Sequence, residues 1–305
     1  MDGIINVYKP KGKTSHDVVG FLRKKCNMKK IGHTGTLDPI AQGVLPVCIG
    51  KATRLSNYLL EKDKRYIAEM QLGVRTDTYD LEGTVLERRT PIPVSQEIFD
   101  EVARNFIGTI SQKPPIYSAI KIKGKKLYQY AREGIEIEVP NREVTVSDIR
   151  YLASTEDRVT FEVSCSKGTY VRSLIEDLGN ILGCGASMSN LIRTKSGTFD
   201  QTTAHTLDEI EAMDQEEIEK ILIPMDAPLV DYPPINVKTA SKRFLLNGVV
   251  LLEKNVETLP FPKEDTIVRL YCEKQFHGMG VIRLKDGQKT IKPTFIYKEF
   301  ANGNI

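Results

Sequence analysis

The stretch from Ile31 to Pro46, IGHTGTLDPIAQGVLP, places three glycines (Gly32, Gly35, Gly43) and two prolines (Pro39, Pro46) around one carboxylate, Asp38. Glycine accepts positive φ and proline fixes its own φ, so this density specifies a shaped backbone rather than a long helix. Asp38 precedes Pro39, which biases it away from the α region and toward presentation by a tight loop. An Asp-Pro pair also opens helices, with Asp as N-cap and Pro at the first helical position. Nearby there is neither a second carboxylate to form an acid–base pair nor a His/Cys cluster to hold a metal. If Asp38 does chemistry it acts alone, and a lone ionised carboxylate suits covalent or charge-stabilising work.

The chain has 305 residues, room for one large domain and a small one. It contains no apolar run long enough to span a membrane and no signal-peptide pattern at its start, which points to the cytoplasm. Its five cysteines are dispersed without CxxC spacing, as expected of reduced thiols, and structural zinc is not expected. Net charge is only +3, but it is unevenly spread: residues 1–65 hold 13 Lys/Arg against 5 Asp/Glu, whereas residues 200–231 hold 10 acids against one Lys. Basic regions near both ends, separated by an acidic segment, suit a polyanionic partner; ordinary solvated faces would look similar.

Gly3–Tyr8 reads as a strand. The following KPKGKTS resembles a phosphate-binding loop only superficially, because Val7 stands where the first glycine is required. Thr14 or Ser15 is expected to cap a helix with Val18, Phe21, Leu22 and Cys26 inward. After the Gly/Pro-rich loop, Val47–Ile49 is expected as a strand and Ala52–Leu60 as a helix. Lys64–Gly73 alternates with period two and sets Tyr66, Ala68, Met70 and Leu72 on one face. Thr84–Glu87 should pair back as a strand, and Ser95–Phe106 should form a helix with Ile98, Val102 and Phe106 inward. Leu127–Arg132 reads as a short helix, and Ile135–Val139, Arg142–Tyr151 and Val159–Ser164 as strands. Gly168-Thr169 turns the chain into a helix ended at Gly183, its inner stripe Val171, Leu174, Ile175 and Leu178. Arg172 falls in the first turn of that helix, where the dipole disfavours a cation, so it should point outward or meet an anion. Thr206 and Asp214 open acidic helices through capping boxes. Ile223–Pro234 reads as a linker, and short strands and turns beyond it suggest an all-β unit.

Four blocks of this sequence resemble the TruB family of tRNA pseudouridine synthases: KPxGxTS, GHTGTLDPIAQGVLP, KxYxAxxxLG followed by TDTxDxxG, and KGTYVRS with the later Leu191. The resemblance covers nearly the whole chain and implies an α+β fold. That fold has a mixed, largely antiparallel central sheet flanked by helices, in residues 1–230, and a small C-terminal PUA-like RNA-binding β domain in 231–305. It implies isomerisation of uridine 55 in the T stem-loop of tRNA to pseudouridine. The base would be flipped out, its N1–C1′ bond cleaved, and the ring rejoined through C5.

In that family the Asp of GTLDP is the nucleophile, which falls on Asp38, and the Arg of KGTYxRS pairs with it, which falls on Arg172. Tyr66 would lie against the target base, as would Leu191 and Tyr170 in the pocket, with His33 near the extruded nucleotide and Lys9 among the RNA-binding residues. The family pattern often has two arginines after the Leu; Ile192 replaces the first here. No cofactor, metal, membrane or obligatory protein partner is implied, and a monomer is expected. Whether Asp38 attacks C1′ or C6, or assists elimination at C2′, is open in the sequence. An RNA-folding protein on the same scaffold and a guide-directed synthase are the alternatives.

Overall fold

The computed structural model describes residues 1–298. One large sheet runs through the molecule, in the order His205–Thr206, Gly3–Lys9, Gln42–Ile49, Ala186–Ser196, Lys64–Leu72, Arg158–Cys165, Arg142–Ser154 and Gly108–Gln112. Pairing is antiparallel except where Gly3–Lys9 meets His205–Thr206 and where Gln42–Ile49 meets Ala186–Ser196. The fold is thus the mixed, largely antiparallel sheet expected.

Period-two alternation explains how this sheet is covered. On Lys64–Leu72, Tyr66, Ala68, Met70 and Leu72 turn to a core completed by Leu174, Ile175 and Leu178 of the helix Val171–Leu182. That helix ends where Gly183 takes the left-handed conformation, with φ at 86°. On Gly3–Lys9, Ile5 and Val7 face the helix Ser15–Lys25 and the acidic helices Leu207–Ala212 and Gln215–Lys220. Thr14 caps the first of these, and Thr206 and Asp214 cap the other two with their capping boxes formed. Ile4 belongs to the opposite face, where it shares a core with Met279 and Phe295 of a second sheet. That sheet runs Pro234–Asn236, Ile267–Cys272, Gln275–Lys285, Gln288–Ile296 and forms the small C-terminal β domain.

Four local expectations are corrected. The strand foreseen at Val47–Ile49 begins at Gln42 and carries Pro46 within it. Only Thr34–Ala41 is therefore free to form the loop. The segment Thr84–Glu87 pairs as Val85–Arg88 with a separate strand, Val74–Thr76, rather than with Lys64–Leu72. The helix after Ser95 covers Gln96–Ala103; Val102 and Phe106 pack against the core as expected, but Phe99 and Ala103 are the buried residues and Ile98 stays 43% exposed. Phe99 stacks within 5.3 Å of Phe161 and 5.9 Å of Tyr151, and burying a ring of that size outweighs burying an isoleucine. Ile135–Val139 forms no strand: it has no ladder partner, and Ile135 is 46% exposed.

Candidate active site

Asp38 sits in a turn, not at a helix start; the Ala41 N–H donates to the Asp38 carbonyl at 3.1 Å and no helix follows. Three anchors shape this turn. Ser15 is buried, donating its hydroxyl to the Leu37 carbonyl at 3.1 Å and accepting from the Leu37 N–H at 2.8 Å. The Gly12 N–H donates to the Pro39 carbonyl at 2.8 Å. Lys9 is fully buried and donates its ammonium to the carbonyls of Pro10 (2.9 Å) and Lys13 (2.5 Å), with Pro39 at 3.5 Å. Lys9 therefore ties the basic turn to the Asp38 loop through backbone oxygens, and burial lowers its pKa to about 8. Leu37, Ile40 and Ala41 sink into the core beside Tyr66 and Leu191, while the Asp38 carboxylate turns to Arg172 and keeps 35% of its surface.

Arg172 meets Asp38 as the resemblance implies: Nε lies 2.9 Å from Asp38 Oδ2. Its other donors are also committed. Nη1 reaches the Thr78 carbonyl at 3.0 Å and Asp80 Oδ2 at 3.3 Å, and Nη2 reaches the Tyr117 carbonyl at 3.1 Å. Asp80 is itself fixed by the Thr78 hydroxyl at 2.6 Å and the Glu82 N–H at 3.1 Å. The cation disfavoured in the first helical turn is thus held by two carboxylates and two carbonyls. Burial pushes the Asp38 carboxyl upward, opposed chiefly by the Arg172 guanidinium, while nearby Asp80 adds to the rise.

Tyr66 is nearly closed off and sits opposite Arg193 in the sheet. Burial raises its phenol, and the Arg193 guanidinium, hydrogen-bonded to it, pulls the other way. Leu191, 6% exposed, packs in the same core. Tyr170 caps the Arg172 helix, its backbone held by Gln112, which donates to its carbonyl at 3.1 Å and accepts from its N–H at 2.8 Å. His33 accepts from the Gly35 N–H at 3.4 Å, and burial together with Arg193 and His16 disfavours its charged form. The structure therefore gathers Asp38, Arg172, Tyr66, Tyr170, Leu191 and His33 around one loop, with Lys9 beneath it.

Three contributors escaped the sequence reading. Asp80 lay in the TDTxDxxG block, which the sequence reading gave no role in the site. Ser15, read as a possible N-cap, and Arg193, the second arginine of the family pattern, showed nothing locally of the partners they take here, which are 22 and 149 residues away in the chain. Among the described residues no group of three or more His, Cys, Asp and Glu side chains is placed to hold a metal. No described helix is long and apolar enough to cross a membrane.

Comparison with known proteins bears on the family and the fold. Residues 23–171 match the N-terminal domain of the TruB family pseudouridylate synthases, and residues 172–230 match the tRNA pseudouridylate synthase B C-terminal domain. The chain is 48% identical to the tRNA pseudouridine synthase B of Alkaliphilus oremlandii, over 96% of this chain and 97% of that protein. It is 43% identical to that of Clostridium tetani, over 96% and 99%. Among solved structures it resembles a chain of an H/ACA RNP bound to a substrate RNA containing 2′-deoxyuridine, with a TM-score of 0.74 and 28% identity over 97% of this chain and 85% of that one. A Cbf5-Nop10-Gar1 complex gives a TM-score of 0.74 at 30% identity, covering 97% and 84%. This chain belongs to the TruB family of pseudouridylate synthases.

Proposed function

We propose that the protein isomerises uridine 55 in the T stem-loop of tRNA to pseudouridine, acting without a protein partner. The observation that carries this reading is the Asp38–Arg172 pair. A buried, fully bonded guanidinium orients a carboxylate that keeps 35% of its own surface. Such a carboxylate is open to a flipped base and cannot swing away. The relatives named for tRNA outweigh the similar chain of an H/ACA RNP, because they align over 97% of their length or more at higher identity.

In this reading Asp38 stabilises or captures the sugar–base fragment as the N1–C1′ bond breaks. The freed uracil turns and C5 bonds to C1′. A proton then leaves C5, and N1 gains one from solvent. Tyr66 and Leu191 form the surface on which the extruded ring rests, since a base out of its stack needs an apolar and aromatic partner. The Tyr66 oxygen, once ionised, is the acceptor for the proton that leaves C5. Tyr170 and His33 flank the nucleotide. Residues 1–230 carry the chemistry, and the β domain of 231–305 acts as a PUA-like RNA-binding module, in the cytoplasm where tRNA is modified.

The test is tritium release from a tRNA transcript carrying C5-labelled uridine, with a second transcript in which position 55 is cytidine. Stoichiometric release from the first and none from the second is expected. Equal release from both would overturn the assignment of the site.

A further inference from the structure

Among the described residues the largest fully buried side chain is that of Arg193, 1% exposed. Its Nε donates to the Val44 carbonyl at 2.7 Å and its Nη2 to the Gly35 carbonyl at 3.1 Å. Gly35, near the start of the Asp38 loop, and Val44, in the strand that follows it, flank Asp38 on either side. Arg193 is also the cross-strand partner of Tyr66 on one side and of Gly43 on the other. Gly43 has φ at 107°, and any Cβ there would collide with the Arg193 carbonyl, so the two strands close on each other at this point.

Arg193 also has an electrostatic peculiarity. Its described polar contacts are carbonyls and a phenol, with no carboxylate within ion-pair distance. Lys9, Lys64 and His33, basic groups of neighbouring elements, act on it electrostatically. A buried guanidinium in basic surroundings is costly unless an anion forms beside it at some stage. The group beside it that can become anionic is the Tyr66 hydroxyl.

We propose that Arg193 is a positioning residue acting through Tyr66: it holds the chain on both sides of Asp38 and supplies the positive charge against which Tyr66 ionises. The inference rests on the proton-transfer role given to Tyr66 above. Tyr66 first yields its hydroxyl proton to solvent, and Arg193 stabilises the phenolate. The C5 proton then passes to that oxygen, its bonding pair returning to the uracil ring, and Arg193 itself transfers no proton. The other groups that bear on the Tyr66 hydroxyl are Asp38, which opposes its ionisation, and Cys165 on the far neighbouring strand, which does the same.

The experiment measures single-turnover tritium release with saturating enzyme between about pH 6 and pH 9, for wild type, Arg193→Gln, Arg193→Lys, Tyr66→Phe and the Arg193→Gln/Tyr66→Phe double variant. Arg193→Gln should lose about 10²-fold at neutral pH and move the rising limb of the pH–rate profile upward. Adding Tyr66→Phe should then cost nothing further, because both changes remove one function. Arg193→Lys keeps the charge but loses the forked contact with Gly35 and Val44, so it should lose about tenfold while its pH profile stays nearly unmoved. Fully additive losses, or a loss with an unshifted profile, would overturn the proposal while leaving Tyr66 as the base. A fully active Tyr66→Phe would instead overturn the role of Tyr66, and this inference with it. Should Arg193→Gln fail to fold, Arg193→Lys decides: a hundredfold loss with an unshifted profile overturns the charge role.

Discussion

Arg172 Nε stands 2.9 Å from Asp38 Oδ2, and the two side chains differ sharply in exposure, 6% against 35%. The guanidinium is the sealed, structural half of the pair; the carboxylate is the half that can meet a substrate. Asp80 completes the arrangement from the far side of Arg172, at 3.3 Å from Nη1 and only 7% exposed. A forked cation with a buried carboxylate behind it and an open one ahead is a rigid mount for a single reacting oxygen.

Asp38→Asn keeps the shape of the loop and deletes the charge. Turnover should fall by about 10³-fold or more, since no second carboxylate in the loop can substitute. Affinity for tRNA should change by less than about threefold, because it rests on many phosphate contacts. Single-turnover rates and filter binding check both halves, and activity within tenfold of wild type would sink the nucleophile role.

Arg172→Lys keeps a cation but loses the fork that joins Asp38 to Asp80. The single-turnover rate should drop by about 10- to 10³-fold with little change in RNA binding. Arg172→Met should in addition destabilise the fold by about 3 kcal/mol, because Asp80 is left as a buried charge without its cation. Denaturant midpoints with unchanged slopes would separate the two effects.

Tyr66 is tested by the contrast between Phe and Leu. If the Tyr66 oxygen, once ionised, takes the C5 proton, Tyr66→Phe should lose about 10²-fold or more, close to Tyr66→Leu. If only the ring matters, Phe should retain most of the rate and Leu should lose much of it. Single-turnover tritium release distinguishes the two.

Lys11 and Lys13 are exposed on the turn bonded to the Asp38 loop through Gly12 and Pro39. Each is well placed to meet an RNA phosphate entering the site. Reversing either to Glu should weaken tRNA binding and lower the slope of log affinity against log salt by about one. An unchanged slope would show that this turn faces away from the RNA.

Lys9 gives a pH dependence of known sign. Burial brings its pKa to about 8 in the folded protein, below the ordinary 10.5 of a lysine. Between those values the unfolded chain binds the extra proton, so the Lys9 contribution to stability rises with pH across that window and is smallest below about pH 8. Lys9→Met removes this term. The stability gap between wild type and Lys9→Met should therefore widen from pH 8 to pH 10.5, by up to about 3 kcal/mol at the limit. A constant gap in denaturant melts would contradict it.

Much of this protein was determined by its sequence alone, wherever the signal is local. Period two placed Tyr66 on the buried face of its strand, capping boxes opened the acidic helices at Thr206 and Asp214, and Gly183 ended the helix that carries Arg172. The Gly/Pro pattern around Asp38 marked the loop, and the cation in the first helical turn left Arg172 to point outward or meet an anion, a choice that only the family resemblance narrowed to Asp38. These readings depend on neighbours within a few residues, and local backbone preference is what a sequence expresses directly.

Tertiary structure alone decided the rest. Which face of the Gln96–Ala103 helix is buried depended on Phe161 and Tyr151, from strands distant in sequence. That Gln42–Pro46 belongs to a strand depended on Gly3–Lys9 and Arg193 lying beside it. Asp80 and Arg193 gained their roles because the chain brings them to Arg172 and Tyr66 across the fold. Lys9 reads in sequence as one more cation of a basic turn; only the closed packing around it turns its ammonium to backbone carbonyls. A side chain's partner across the fold is set by which surfaces exclude water together, and no single stretch of sequence contains that information.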